Sequence, residues 1–292
     1  MSYKGGSSEF TIVLGADDPE ARAAGRLCSV NGVPVAVALF GGDRVDFGTA
    51  YKANNIGNHP GHPNVLPIIG DIVTFEANVP GRLAAQVIKR IDHHKPGDAG
   101  YDKLASEYMT GSSLGQLAAH IGVGLNEKQR VIAALDHCAP AAMSGEIDDI
   151  DPTLALHTYL EGVHESHPRV TPANVVGAYW DALHVLNKTR NVVQINGQEV
   201  LDLRDRHLGP STSLRRLMIL AALATSGNAG LTLCRDPLSN WSKVMLNGHV
   251  EPSTVEDFKS KWGPEQGYVG IFGSPPRQYA GGLMPSSLEL HA

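Results

Sequence analysis

Arg90-Ile91-Asp92-His93-His94-Lys95-Pro96-Gly97-Asp98 sets an acid and two imidazoles side by side where an apolar segment, Gln86 to Ile91, stops. Three such groups at one corner can supply a metal ligand, a carboxylate that orients it and a proton donor. Lys95 adds positive charge for an anionic substrate. The same letters also suit a polar turn, and a chain with 13 His can place two together by chance. The surroundings of the run have to decide.

Upstream, Phe10 to Leu14 is an apolar, β-branched run that breaks at Gly15, and Pro19-Glu20 to Leu27 suits a helix with an acid in its first turn. Val33 to Phe40 is a second strand ended by Gly41-Gly42, and Val65 to Ile69 with Ile72 to Phe75 supplies one or two more. Strands alternating with short helices predict an α/β lobe with a mostly parallel sheet, which binds ligands beyond the carboxyl ends of its strands. Asp17, Glu76 and Asp92 each follow such a strand end, so separate stretches deliver acids to one rim. Acids also follow strands as turn formers and helix caps.

Downstream, Ser112 to about Lys188 reads as a helical connector. Ser113-Leu-Gly-Gln116 suggests a capping box, its helix amides offer a place for a phosphate, and Gln129 to Cys138 and Pro172 to Leu186 continue the pattern. Asn196-Gly197, between Val192–Ile195 and Glu199–Leu203, signals a hairpin that opens a smaller α+β lobe. In that lobe Ser213 to Leu223 and Thr254 to Trp262 read as helices. Leu231 to Leu233, Lys243 to Leu246 and Tyr268 to Phe272 read as strands, followed by a glycine-containing loop through Arg277, Gly281 and Gly282. The division predicted is a flexible Gly/Ser-rich tail over residues 1–9, a main domain over 10–190 with a helical second half, and a smaller domain over 191–292.

Composition narrows the function. A net charge of −6 argues against a partner as long as a nucleic acid polymer, though a nucleotide or short oligonucleotide still fits. Three widely spaced cysteines without metal-type spacing suggest reduced thiols and a cytoplasmic setting. No stretch reads as a signal peptide or membrane span, so no membrane partner is expected; a homodimer is compatible with the sequence. Motifs for nucleoside-triphosphate loops, serine hydrolases, zinc proteases and zinc ribbons are absent.

Taken in order, the acids at strand ends, Asp92-His93-His94 and a later Asp resemble the DHH phosphoesterase superfamily. The third motif of that family is matched letter for letter. The first, a His followed by two spaced aspartates, corresponds to Gly15-Ala16-Asp17-Asp18-Pro19-Glu20, which has acids but no His. The second corresponds to Glu76, with Asp71 as the other choice, and the fourth to Asp136 in Ala133-Ala-Leu-Asp-His-Cys138. Arg277-Gln-Tyr-Ala-Gly-Gly282 echoes the family's glycine-rich substrate loop, without the His that usually follows it.

The resemblance implies Asp17, Asp18, Glu76, His93 and Asp136 as metal ligands, Asp92 as an orienting carboxylate and His94 as a proton donor or substrate contact. Lys95, Arg277, Gly281, Gly282 and also Arg90 would meet the substrate. Carboxylates mixed with imidazoles suit Mn²⁺ or Mg²⁺. His59, His62 and His137 are candidates to complete the set. His157, His164 and His167, and the acids Glu146, Asp148, Asp149 and Asp151, read more simply as solvated surface. The function implied is a metal-dependent hydrolase of a small phosphoester: a nucleotide, a cyclic dinucleotide or a short oligonucleotide. The missing His leaves open a metal-dependent hydrolase of another bond, such as C–N, or a ligand-binding protein without catalysis.

Overall fold

The structure is a computed structural model that describes residues 10–46, 48–58, 70–167, 169–189, 191–204, 212–225, 231–237, 241–248 and 250–285. The expected tail, the strand at Val65 to Ile69, and His59 and His62 lie outside the described residues. The chain divides into two compact units: Met1–Lys103 with Glu107–His137, and Leu104–Ser106 with Cys138–Ala292.

The first unit is built on a sheet of six strands, β1 (Phe10–Leu14), β2 (Val35–Phe40), β3 (Asp43–Arg44), β4 (Asn55–Asn58), β5 (Asp71–Phe75) and β6 (Val87–Ile91). The order is β3-β2-β1-β5-β6, with β4 also on β2; β2, β1, β5 and β6 run parallel, and β3 and β4 run antiparallel to β2. Ile12, Val13, Leu14, Ile72, Val73 and Phe75 are fully buried. That is why β1 and β5 read as unbroken apolar runs rather than alternating ones. Parallel pairing puts the residues that follow Leu14, Phe75 and Ile91 on one edge.

Helix α1 (Pro19–Val30) starts where Asp18 caps it, Oδ1 accepting from the Ala21 amide at 2.7 Å, with Pro19 at the first helical position. The short α2 (Tyr108–Gly111) leads into α3 (Ser113–Ile121), whose cap is Ser112, one residue earlier than the capping box predicted. Ser112 Oγ accepts from the Gly115 amide at 3.1 Å, while Gln116 reaches elsewhere, its Nε2 donating to the carbonyls of Asp92 and Gly111 at 3.2 Å each. Helix α4 (Glu127–Ser144) breaks at Cys138, where φ is −152° and ψ is 81°. Pro140, two residues on, lacks the amide that would bond the Asp136 carbonyl.

The second unit contains α5 (Pro152–Ser166), α6 (Pro172–Lys188), β7 (Val192–Ile195), β8 (Gln198–Asp202), α7 (Thr212–Thr225), β9 (Leu231–Pro237), β10 (Trp241–Asn247), α8 (Pro252–Asp257), β11 (Val269–Ser274) and β12 (Tyr279–Pro285). Its sheet runs β11-β12-β10-β9-β8-β7 and is antiparallel except for β8 with β9. The compact units part at residues 137 and 138. Helices α5 and α6 pack with α7, and the Tyr159 hydroxyl donates to the Leu217 carbonyl at 3.2 Å while that of Tyr179 pairs with Thr225 Oγ1 at 2.7 Å.

Gly281 and Gly282 correct the sequence reading. They lie inside β12, paired with Met245 and Val244 of β10, and are buried rather than in a loop. A Cβ on Gly281 would stand 2.5 Å from Phe272 Cζ and 2.7 Å from Met245 Sδ. The glycines make room for side chains of neighbouring strands. Arg277 ends a short turn before β12. Among the described residues no helix is long and apolar enough to cross a membrane.

Candidate metal centre

The edge formed by the ends of β1, β5 and β6 is closed by α3 and α4, and Glu20, Glu76, His93 and Asp136 meet there. One ligand atom from each lies within 4.8 Å of every other. His93 is fully buried, with Nε2 at 3.0 Å from Asp136 Oδ2 and 3.4 Å from Glu76 Oε1. Glu76, His93 and His94 make a second, overlapping group.

Each position has a local cause. Glu76 follows the last residue of β5 and sits at φ 49°, in the left-handed region. Gly15 is the reason β1 can come so close: a Cβ there would be 2.4 Å from the Glu76 carbonyl oxygen. Glu20, on the first turn of α1, is 1% exposed, and its Oε1 accepts from the Leu114 amide at 2.7 Å. The amides at the start of α3 therefore meet a protein carboxylate, where the sequence suggested a phosphate. Oε2 of Glu20 and Oε1 of Glu76 are buried and accept no hydrogen bond among the described residues.

Packing carboxylates this way raises their proton affinity. Burial first, and then the neighbouring Asp136, pushes Glu76 up to about 8 and Asp18 up to about 6. Burial, Asp136 and Glu76 lift Glu20 well above its ordinary value. Buried carboxylates gathered around an imidazole are a fitting donor set for a hard divalent cation.

Asp92 is fully buried and turned away from this group to organise the turn that carries it. Its carboxylate accepts from the amides of His93 at 2.8 Å and His94 at 3.1 Å, from the Tyr51 hydroxyl at 2.8 Å and from Arg90 Nη2 at 2.9 Å. It also holds His94 Nδ1 at 3.0 Å. Burial alone would raise this carboxyl, but the His94 ring, the Tyr51 hydroxyl and the amides together hold it well below the usual range.

The other candidates divide. Asp17 leaves the set: it is 55% exposed, with Arg44 Nη1 at 2.8 Å and Arg22 Nη1 at 3.6 Å from its Oδ1. Its side chain emerges from the turn on the side of these arginines. Asp18 is buried and close enough to feel Asp136 and Glu76, yet it is outside both ligand groups and one oxygen is committed to the α1 cap. Asp71, at the start of β5, is at the opposite end from Glu76. His137 is outside the groups too; it packs on Gly111 and its Nε2 lies 3.1 Å from the Lys103 carbonyl oxygen. Arg90 bridges Asp92 and Asp98, which makes it a brace of the turn rather than an open phosphate contact. Lys95 Nζ stands 3.3 Å from the centre of the Tyr51 ring. The side chain of Arg277 lies outside the described residues.

Two members escaped the sequence. Glu20 was legible only as a first-turn acid, although the spacing Asp18-Pro-Glu20 supplies the two spaced carboxylates that Asp17-Asp18 does not. Tyr51 carried no signal.

No family model matches the chain, and no curated protein does. Among solved structures, the DHH domain of a protein described as a member of a ribosomal protein family aligns with 95% of this chain and 83% of its own at 11% identity, with a TM-score of 0.51. The chain has the DHH fold. This is the architecture that the order of its motifs implied. A pGpG-specific phosphodiesterase, PggH, from Vibrio cholerae also aligns, over 97% of both chains at 12% identity and a TM-score of 0.39. On the DHH fold of this chain the motif Asp92-His93-His94 closes β6, as expected.

Proposed function

We propose that the protein is a metal-dependent hydrolase of small phosphoesters, with Mn²⁺ or Mg²⁺ held by Glu20, Glu76, His93 and Asp136. One observation carries this reading: four potential ligands, three carboxylates and an imidazole, converge in one pocket with a ligand atom of each within 4.8 Å of every other. When bound, the ion would activate water and stabilise charge on the phosphoryl oxygens. The residues of the chain supply the rest. Asp92, held ionised, fixes His94 with its proton on Nδ1, so that the exposed ring can exchange a proton with the substrate through Nε2. Lys95, on the Tyr51 ring beside this turn, supplies positive charge toward an anion. The substrate class is a nucleotide, a cyclic dinucleotide or a short oligonucleotide, consistent with the acidic net charge.

The test is hydrolysis of a panel of phosphomonoesters and phosphodiesters by protein of measured metal content. Turnover is expected with Mn²⁺ or Mg²⁺, to be inhibited by phosphate and to be lost in His93→Ala. A metal-loaded protein that turns over none of the panel and ignores phosphate overturns the phosphoester reading and favours cleavage of another bond.

A further inference from the structure

Arg44, on β3, is outside the ligand set, yet it grips the turn that delivers Glu20. Its side chain is 16% exposed. Nε donates to the Gly15 carbonyl at 2.9 Å, Nη2 to the Ala16 carbonyl at 3.0 Å and Nη1 to Asp17 Oδ1 at 2.8 Å. The three acceptors come from consecutive residues, and Asp18 and Glu20 follow at once. Gly15 is thereby fixed through both its polar groups, because its amide donates to the Phe75 carbonyl at 2.9 Å.

We propose that Arg44 is a positioning residue of the metal centre, holding the β1–α1 turn in the one path that brings the Glu20 carboxylate to Glu76, His93 and Asp136. An ion pair with Asp17 alone would need no burial. What the geometry adds is a planar fork satisfying two main-chain carbonyls, which fixes where the backbone lies as well as where a charge sits. There is no slack on the Glu76 side of the turn, since Gly15 already packs against that residue's carbonyl at a distance no side chain would tolerate. A lysine keeps the charge but cannot span three acceptors. The fork thus acts on the ligand through the backbone, as outer partners of metal ligands do.

This inference rests on the metal-centre reading, and the experiment separates the two. Mn²⁺ is titrated into metal-free wild type, Arg44→Ala, Arg44→Lys, Asp17→Asn and His93→Ala, with thermal melting of each. Arg44→Ala is expected to weaken Mn²⁺ binding by about 10- to 100-fold, the range typical of lost outer partners. Added methylguanidinium should restore part of that loss, Arg44→Lys should fall between Arg44→Ala and wild type, and Asp17→Asn, which spares both carbonyl contacts, should stay near wild type. A folded Arg44→Ala with wild-type affinity overturns the role. If Arg44→Ala does not melt cooperatively, Arg44→Lys decides: wild-type affinity overturns the proposal, and weaker binding at an unchanged melting temperature supports it. Equal Mn²⁺ uptake by wild type and His93→Ala overturns the metal centre itself, and this inference with it.

Discussion

Glu20 illustrates how one side chain can serve folding and chemistry at once. Oε1 completes the start of α3, while the buried Oε2 accepts no hydrogen bond among the described residues. Glu20→Gln keeps an acceptor for the Leu114 amide and removes an ionisable acid from beside Glu76 and Asp136. The metal-free variant should therefore melt no lower than wild type, whereas Mn²⁺ should raise its melting temperature much less; melting curves with and without Mn²⁺ decide this. Tyr51→Phe tests the neighbouring turn. Losing a hydrogen bond to the ionised Asp92 should cost about 1.5–3 kcal/mol in denaturant unfolding, and the pH profile of hydrolysis should shift as His94 loses its anchored partner. His93, Asp92 and Asp136 were legible in the sequence because a contiguous triplet and a helix acid are local signals. Glu20 and Tyr51 were not, because their partners lie 94 and 41 residues away.

Among the elements, β1, α1, β6 and the Asn196-Gly197 hairpin follow from local letters. Asn196 and Gly197 adopt φ of 49° and 75°, the left-handed pair that a two-residue hairpin turn demands. The strand through Gly281 and Gly282 was misread because glycines weaken a strand signal, while the reason for them, the room taken by Phe272 and Met245, is tertiary. Gly15 poses the same question within the first unit. Gly15→Ala would force β1 and β5 apart at the point where Glu76 leaves the sheet. It should destabilise the protein by about 1–3 kcal/mol, as overpacking does, and weaken Mn²⁺ binding, both measurable by unfolding and titration on one preparation.

For the whole molecule the acid cluster sets how stability responds to pH. Glu76 takes its proton at an ordinary value of 4.5 when unfolded and about 8 when folded, and Asp18 at 3.8 and about 6. The folded form binds more protons between these values. The stabilising effect is therefore complete below the unfolded values and is lost as pH rises through the folded ones. Metal-free protein should lose stability between about pH 4.5 and 8, and Mn²⁺, which needs the carboxylates ionised, should reverse that slope; melting temperature against pH with and without the ion is the check. At this scale the sequence foresaw an α/β chain with a mostly parallel sheet. It did not foresee how α5 and α6 attach to α7, which depends on pairs such as Tyr179 with Thr225 that no local pattern announces.

Glu76 adopts a backbone shape that glycine or asparagine would take with less strain, and it buries an acid among acids as well. If folding were the sole demand on position 76, glutamate would be a poor answer twice over. A Glu76→Gly chain is expected to outlast the wild type under thermal challenge while losing its cation. Durability and usefulness thus pull this residue in opposite directions, and the letter found there is the one that serves use.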